Sequence, residues 1–219
     1  MAAMQTPEME QLVVDMLDDR QTVLKDYFVA RGARLENLVW HPTTADTDQT
    51  TMRFLIEYWD RLRGDDPLPP ASALSPFDLK PALGHIVLID VLDDGWNGRF
   101  RLYGTKVAET YGRDMTGRLI SEIDGGNYVS IFFRSLYRAA WLRKAPYYSH
   151  HYPPAHVAVE SWQRLALPLA GPDGQVCRFL ACNIAGPWRP PQRQSEPGQS
   201  EPGQSEPGQS EPGRPGTAA

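Results

Sequence analysis

Apolar residues recur at helical spacing over residues 7–30, where Leu12, Val13, Met16, Leu17, Leu24, Tyr27 and Phe28 form a broken stripe. Thr6 is placed to cap this helix, Pro7 fits its first position, and Glu8 and Glu10 suit its positive end. Gly32 is the expected stop. A second stripe of Phe54, Leu55, Tyr58, Trp59 and Leu62 predicts a helix over 51–63 that Gly64 ends. "HPTTADTDQT" (41–50) between the two reads as a linker or cap. Residues 65–83 carry five prolines, so the chain there is extended or turning, with short helical turns at Ser75-Pro76 and near Pro81.

The texture then changes to strand. "HIVLIDVL" (85–92) is apolar on both alternating faces, as a central strand requires. "DDGWNG" is a hairpin turn, and 99–103 alternates as an edge strand, with Phe100 and Leu102 on one side and Arg99, Arg101 and Tyr103 on the other. Short helices follow at 105–111 and in "RLISEI". The strongest helix covers 127–143, with Val129, Phe132, Phe133, Leu136 and Ala140 as its stripe. Three strands close the pattern: "APYYSHHY", "SWQRLALPLA" with Leu165, Leu167 and Leu169 on one face, and "VCRFLACNI", again apolar on both faces.

Gly104, Gly112 and Gly117 punctuate "FRLYGTKVAETYGRDMTGRLISEI". A dinucleotide or phosphate loop needs closely spaced glycines between a strand and a long helix, or a Gly-Lys-Ser/Thr ending. These are eight and five residues apart, with no such ending, so they are read as steering backbone: leaving a strand, ending a helix, and turning into the next.

That element order, together with "YWDRLRGDDPLPPASALSPFDLKPALGHIVLIDV", "RFRLYGTKVAETYGRDMTGRLISEI" and "RLALPLAGPDGQV", resembles the PAS domain superfamily, and within it a proteobacterial PAS-like subgroup, over about residues 54–184. The resemblance implies an α+β fold: a five-stranded antiparallel sheet in the order 2-1-5-4-3 with helices on one face, here with an N-terminal helical extension. The two strands apolar on both faces are the first and fifth, which that order makes central. The expected organisation is an extension and linker over 1–50, the sensory domain over 51–188, and a tail over 189–219. The resemblance also implies a sensory or interaction module, often dimeric, with a small ligand held between sheet and helices.

Composition changes this picture at the C-terminus. Residues 194–213 are four copies of Gln-Ser-Glu-Pro-Gly with no apolar side chain, so they cannot offset the entropy of ordering and are expected to be disordered. From Gln194 on, the chain has four glutamates and Arg214. The remainder then has 21 basic and 23 acidic residues, which leaves no global field for nucleic acid or anionic membrane. No apolar run approaches a membrane span and the N-terminus lacks an export signal, so a cytoplasmic protein is expected. Cys177 and Cys182 lie about 17 Å apart along a strand, too far for a disulfide. With no kinase, cyclase or DNA-binding segment after Ile184, the expectation is a stand-alone module acting through self-association or a partner signalling protein.

No catalytic residues are assigned, because no nucleophile–His–acid arrangement is visible and the cysteines sit on a late strand, unlike a flavin-reactive cysteine. The cofactor is unknown. His150 and His151 lie just past the long helix on a strand where neighbours point to opposite faces, so one of them could face inward. His156 and Glu160 lie nearby, but neither haem nor metal is assigned to the group. The expected ligand pocket lies against the long helix. Its walls would be Leu88, Leu102, Tyr103, Phe133, Leu136, Tyr148, Leu165, Leu167 and Leu180, and its polar groups Tyr103, Thr105, His150, Arg164 and Asn183. The ligand-binding set is therefore Tyr103, Thr105, Phe133, Leu136, His150, Arg164 and Asn183. The alternative is a ligand-free protein-protein interaction domain, with residues 7–30 packing across a second chain and the pocket filled as plain core.

Overall fold

The computed structural model describes residues 5–123 and 128–189. The expected disorder of the repeat tail lies outside them.

Eleven helices and strands order the described residues. The 7–30 segment forms two helices, α1 (Pro7–Leu17) and α2 (Gln21–Val29). Thr6 caps α1, its side-chain oxygen accepting from the Met9 N–H at 3.3 Å. The break follows from a C-terminal motif with aspartate where glycine is usual. Asp19 takes φ 54°, its N–H donates to the Met16 carbonyl, and the Arg20 N–H donates to the Asp15 carbonyl. Gly32 (φ 68°) closes α2 in the same way, through Ala33 N–H to Phe28 O. Strand β1 (Arg34–Trp40) follows, and α3 (Thr50–Arg63) runs to Gly64. After the proline-rich segment come β2 (Ile86–Leu92), β3 (Asn97–Tyr103), α4 (Thr105–Tyr111), α5 (Tyr128–Arg143), β4 (Tyr147–Tyr152), β5 (Trp162–Ala170) and β6 (Val176–Ala185).

The strands form one antiparallel sheet in the order β1-β4-β5-β6-β2-β3. The five expected strands are β2 to β6, and their order is the expected one, with β2 and β6 central. The sheet has six strands rather than five because β1 pairs with the outer side of β4. Glu36 bulges out of β1, which turns both Leu35 and Leu38 into the core. Their three-residue spacing is why no alternation marked this strand in the sequence.

Register assigns each side chain to a face. One face carries Tyr147, Ser149 and His151 of β4, Trp162, Arg164 and Ala166 of β5, and Phe179, Ala181 and Asn183 of β6. Helix α5 lies over it: Tyr137 stacks near Tyr147 and Phe179 at 6.0 and 5.1 Å, and Phe133 lies 5.5 Å from His151. Helix α1 packs on α5 through buried Met9, Leu12, Val13 and Met16, and Phe28 of α2 meets Phe132 edge-on at 4.7 Å. The apolar stripe of 7–30 is thus buried against the chain's own α5. The opposite face carries Leu165, Leu167 and Leu169 with Leu180 and Leu88. It is covered by α3, whose Trp59 Nε1–H donates to the Pro168 carbonyl at 2.8 Å. Among the described residues no helix is long and apolar enough to cross a membrane.

Candidate ligand chamber

Between the α5 face of the sheet and the first turns of α5 lies a cavity of about 620 Å³. Its walls come from β3 (Phe100, Tyr103), α4 (Val107, Thr110, Tyr111), the start of α5 (Tyr128, Val129, Phe133), the 153–159 loop, and β4, β5 and β6. A cavity of this size, largely apolar and with a few polar groups converging on it, is the usual form of a small-molecule site.

The glycines of 104–117 shape one wall. Gly104 joins β3 to α4 where its Cα runs against backbone; a Cβ there would sit 2.5 Å from the Gly84 carbonyl oxygen. Gly112 ends α4 in the left-handed conformation at φ 84°. Gly117, at φ 82°, turns the chain back onto β3. The Gly112 amide donates to Ala108 O and the Gly117 amide to Phe100 O, so both are committed to backbone partners.

A bulge in β3 decides which aromatics enter the chamber. Phe100 pairs with Ile89 and Leu102 with Leu88, leaving Arg101 as the extra residue. Tyr103 therefore joins Phe100 on the inner face, their rings 5.2 Å apart edge to face, and Leu102 points away with Leu88 and Leu180. Strict alternation gives the reverse, which is how Leu102 came to be expected inside.

Of the expected site residues, Tyr103, Phe133, Arg164 and Asn183 line the chamber. Thr105 is an exposed residue at the start of α4, outside it. Leu136 is fully buried core and does not line the chamber, although Phe133 and Tyr137 on either side of it do. His150 faces the opposite side of β4, its ring 4.8 Å from Tyr152, and the inward histidine is His151. Leu88, Tyr148, Leu165, Leu167 and Leu180 likewise belong to the α3 side. The expectation that the most apolar face lines the pocket fails because α3 takes that face. The residues left for the chamber are the more polar Trp162, Arg164 and Asn183.

Arg164 dominates the electrostatics. Its guanidinium stacks over Phe133 at 4.2 Å and Trp162 at 5.0 Å, and Nη1 donates to His151 Nδ1 at 3.0 Å. It is half-buried and lines the cavity. Burial lowers its pKa to about 10, which still leaves it charged at neutral pH. Burial, then the Arg164 charge, hold His151 well below the usual histidine range, so it is the neutral acceptor of that hydrogen bond. Tyr103 and Tyr137 are pushed up to about 12 by burial and stay neutral phenols. The Tyr128 hydroxyl is buried without a hydrogen-bond partner. Arg31, also on the wall, pairs with Glu8 at 2.6 Å and stacks on Tyr27. His156 is on the wall too, and among the described residues no three His, Cys, Asp or Glu side chains gather as a metal cluster. Cys177 and Cys182 are free thiols.

Among the lining residues that sequence reasoning did not place in the pocket are His151, Tyr128, Tyr137, Trp162 and the 153–159 loop. The parity of β4 was open in the sequence, and the loop carries no periodic signal.

An antiparallel sheet wrapped against one long helix, with a partly open chamber between them, is the frame of a small sensory domain. Residues 47–183 match the PAS domain family, and the chain belongs to that family, whose members are sensory and signalling modules. Among solved structures, one titled "Structure of an RNA-binding Light-Oxygen-Voltage Receptor" aligns with a TM-score of 0.36 and 18% identity, covering 54% of this chain and 36% of that one. The chain thus spans about a third of that receptor's length. No curated protein matches the chain.

Proposed function

We propose that this PAS domain senses a small organic molecule held in the chamber between its sheet and α5, and that it relays occupancy by self-association or to a partner protein rather than by catalysis. The observation that carries the reading is the chamber itself: about 620 Å³, walled by aromatic and aliphatic side chains, with Arg164, Asn183 and Tyr103 as polar groups. The walls favour binding over chemistry, and the protein is read as acting in the cytoplasm. A contact route to the outer surface supports the relay. Tyr128 and Val129, on the chamber wall, begin α5, and the Tyr27 hydroxyl of α2 donates to the Tyr128 carbonyl at 3.3 Å.

The test is thermal unfolding of the full chain against a panel of small organic molecules, with mass spectrometry of anything that co-purifies. An occupant present at a hundred times its dissociation constant adds about 2.7 kcal/mol to stability. Val129→Trp, which places an indole inside the chamber from its wall, is expected to abolish that shift. Its own unliganded melt shows whether it folds. Shifts that survive the blocked variant, or no shift and no co-purifying molecule, would leave the ligand-free interaction domain as the better reading.

A further inference from the structure

Arg164 is a half-buried cation that forms no ion pair among the described residues. Its titratable neighbours include the phenols of Tyr147, Tyr137, Tyr103 and Tyr128, which burial keeps neutral at pH 7 and which therefore supply no balancing charge. No aspartate or glutamate among the described residues lines the chamber. Among the described residues only Nη1 of its guanidinium has a hydrogen-bond acceptor, His151, so the other N–H groups, which are not sealed off, have no protein partner. The other arginine on the wall, Arg31, is already neutralised by Glu8. Aromatic faces offset part of the cost of burying such a charge, but they do not satisfy its donors. Around it are further unused groups. Asn183 lies directly opposite Arg164 on β6, and the Tyr128 hydroxyl is buried without a partner.

We infer that the chamber binds an organic carboxylate, Arg164 anchoring the carboxylate by paired hydrogen bonds and the aromatic walls enclosing an apolar body. The inference rests on the chamber being a ligand site and adds the ligand's chemical class. A planar guanidinium fork matches a carboxylate, and one unpaired cation balances one negative charge. A phosphate dianion would leave charge unbalanced in the same walls. The apolar body follows from the lining, in which Phe100, Val107, Ile120, Ile123 and Phe133 outnumber the polar groups.

The experiment titrates the full chain calorimetrically with phenylacetate, 2-naphthoate and octanoate, each beside its primary amide, and with inorganic phosphate. The acids are expected to bind roughly ten- to a hundredfold more tightly than their amides, the range for one charge-assisted pair, and phosphate is expected not to bind. Arg164→Met is expected to erase the acid preference while leaving amide binding in place. Because the acid–amide comparison is made on the unaltered chain, it stands even if that variant does not fold. Equal binding of acid and amide would overturn the carboxylate inference and keep the chamber as a ligand site. Binding of phosphate alone, or an acid preference that survives Arg164→Met in a folded variant, would also overturn the inference. No binding by any probe would count against both.

Discussion

Lowering the pH from 7 to 5 is expected to destabilise this domain through His151, and the size of the effect follows from linkage. His151 is 1% exposed, in contact with Phe28 and Phe133 and beside the Arg164 charge. Burial, then Arg164, hold its pKa well below the usual 6.5, whereas in the unfolded chain it titrates normally. Below pH 6.5 the unfolded chain therefore takes up a proton that the folded chain refuses, so stability falls as pH falls. The slope approaches about 1.4 kcal/mol per pH unit for one excluded proton, and integrates to at most roughly 2 kcal/mol between pH 7 and 5. His85 and His150 shift in the same direction, chiefly by burial, and add smaller losses of the same sign. The carboxylates with lowered values, Asp48, Asp114 and Glu122, act in a separate window: their stabilisation is lost only at pH values below the ordinary carboxylate range. Urea unfolding followed by tryptophan fluorescence at pH 7, 6 and 5 measures the slope. His151→Asn keeps an acceptor where Nδ1 stands and does not titrate, so it should remove close to one proton from it. A flat profile in the unaltered chain, or an unchanged slope in a folded His151→Asn variant, would refute the argument.

Two substitutions test the two sides of the sheet. Gly104→Ala drives a methyl to 2.5 Å from the Gly84 carbonyl and 2.8 Å from the Ile86 carbonyl, both backbone. It should cost about 3 kcal/mol, the upper end of overpacking penalties, read as a lower urea midpoint at constant slope. Trp59→Phe leaves the Pro168 carbonyl without its donor under α3 and should cost about 1–3 kcal/mol with the chamber and any ligand response intact.

The sheet order was available through the family resemblance, and the apolar pattern of β2 and β6, which that order makes central, agreed with it. The irregular features were not. β1 hid behind the bulge at Glu36, which puts Leu35 and Leu38 on one face at odd spacing. The bulge at Arg101 exchanged Tyr103 for Leu102 by the same device. The break between α1 and α2 has no glycine or proline; an aspartate takes the left-handed position, and the helical stripe runs on across it. For the site, Phe133 follows from the helix stripe, whereas Tyr103, Arg164 and Asn183 were proposed for their polar groups and strand alternation did not by itself place them inside. Thr105, Leu136 and His150 were misplaced because neither element ends nor the parity of adjacent histidines is encoded in a hydrophobic pattern.

Strand β5 shows why the chamber and its charge belong together. Its two faces differ sharply: Leu165, Leu167 and Leu169 on one, and Trp162, Arg164, Ala166 and Pro168 on the other. Had the leucines faced α5, their bulk would have filled the space beneath it as ordinary core. Instead α3 and the proline-rich segment cover the leucines, with the Ala170 amide donating to the Pro69 carbonyl at 2.9 Å. Under α5 the strand then presents alanine at 166 opposite alanine at 181, where Tyr137 packs, and beyond them Arg164 opposite Asn183, where the cavity opens. A shorter apolar residue at 164, such as leucine rather than the longer methionine, would have allowed the α5 turns to close down on the sheet. A guanidinium there resists closure, because each step of desolvation raises its cost. The cation therefore helps keep the chamber open as well as setting what can enter it, and Arg164→Leu should shrink the cavity as well as change its selectivity.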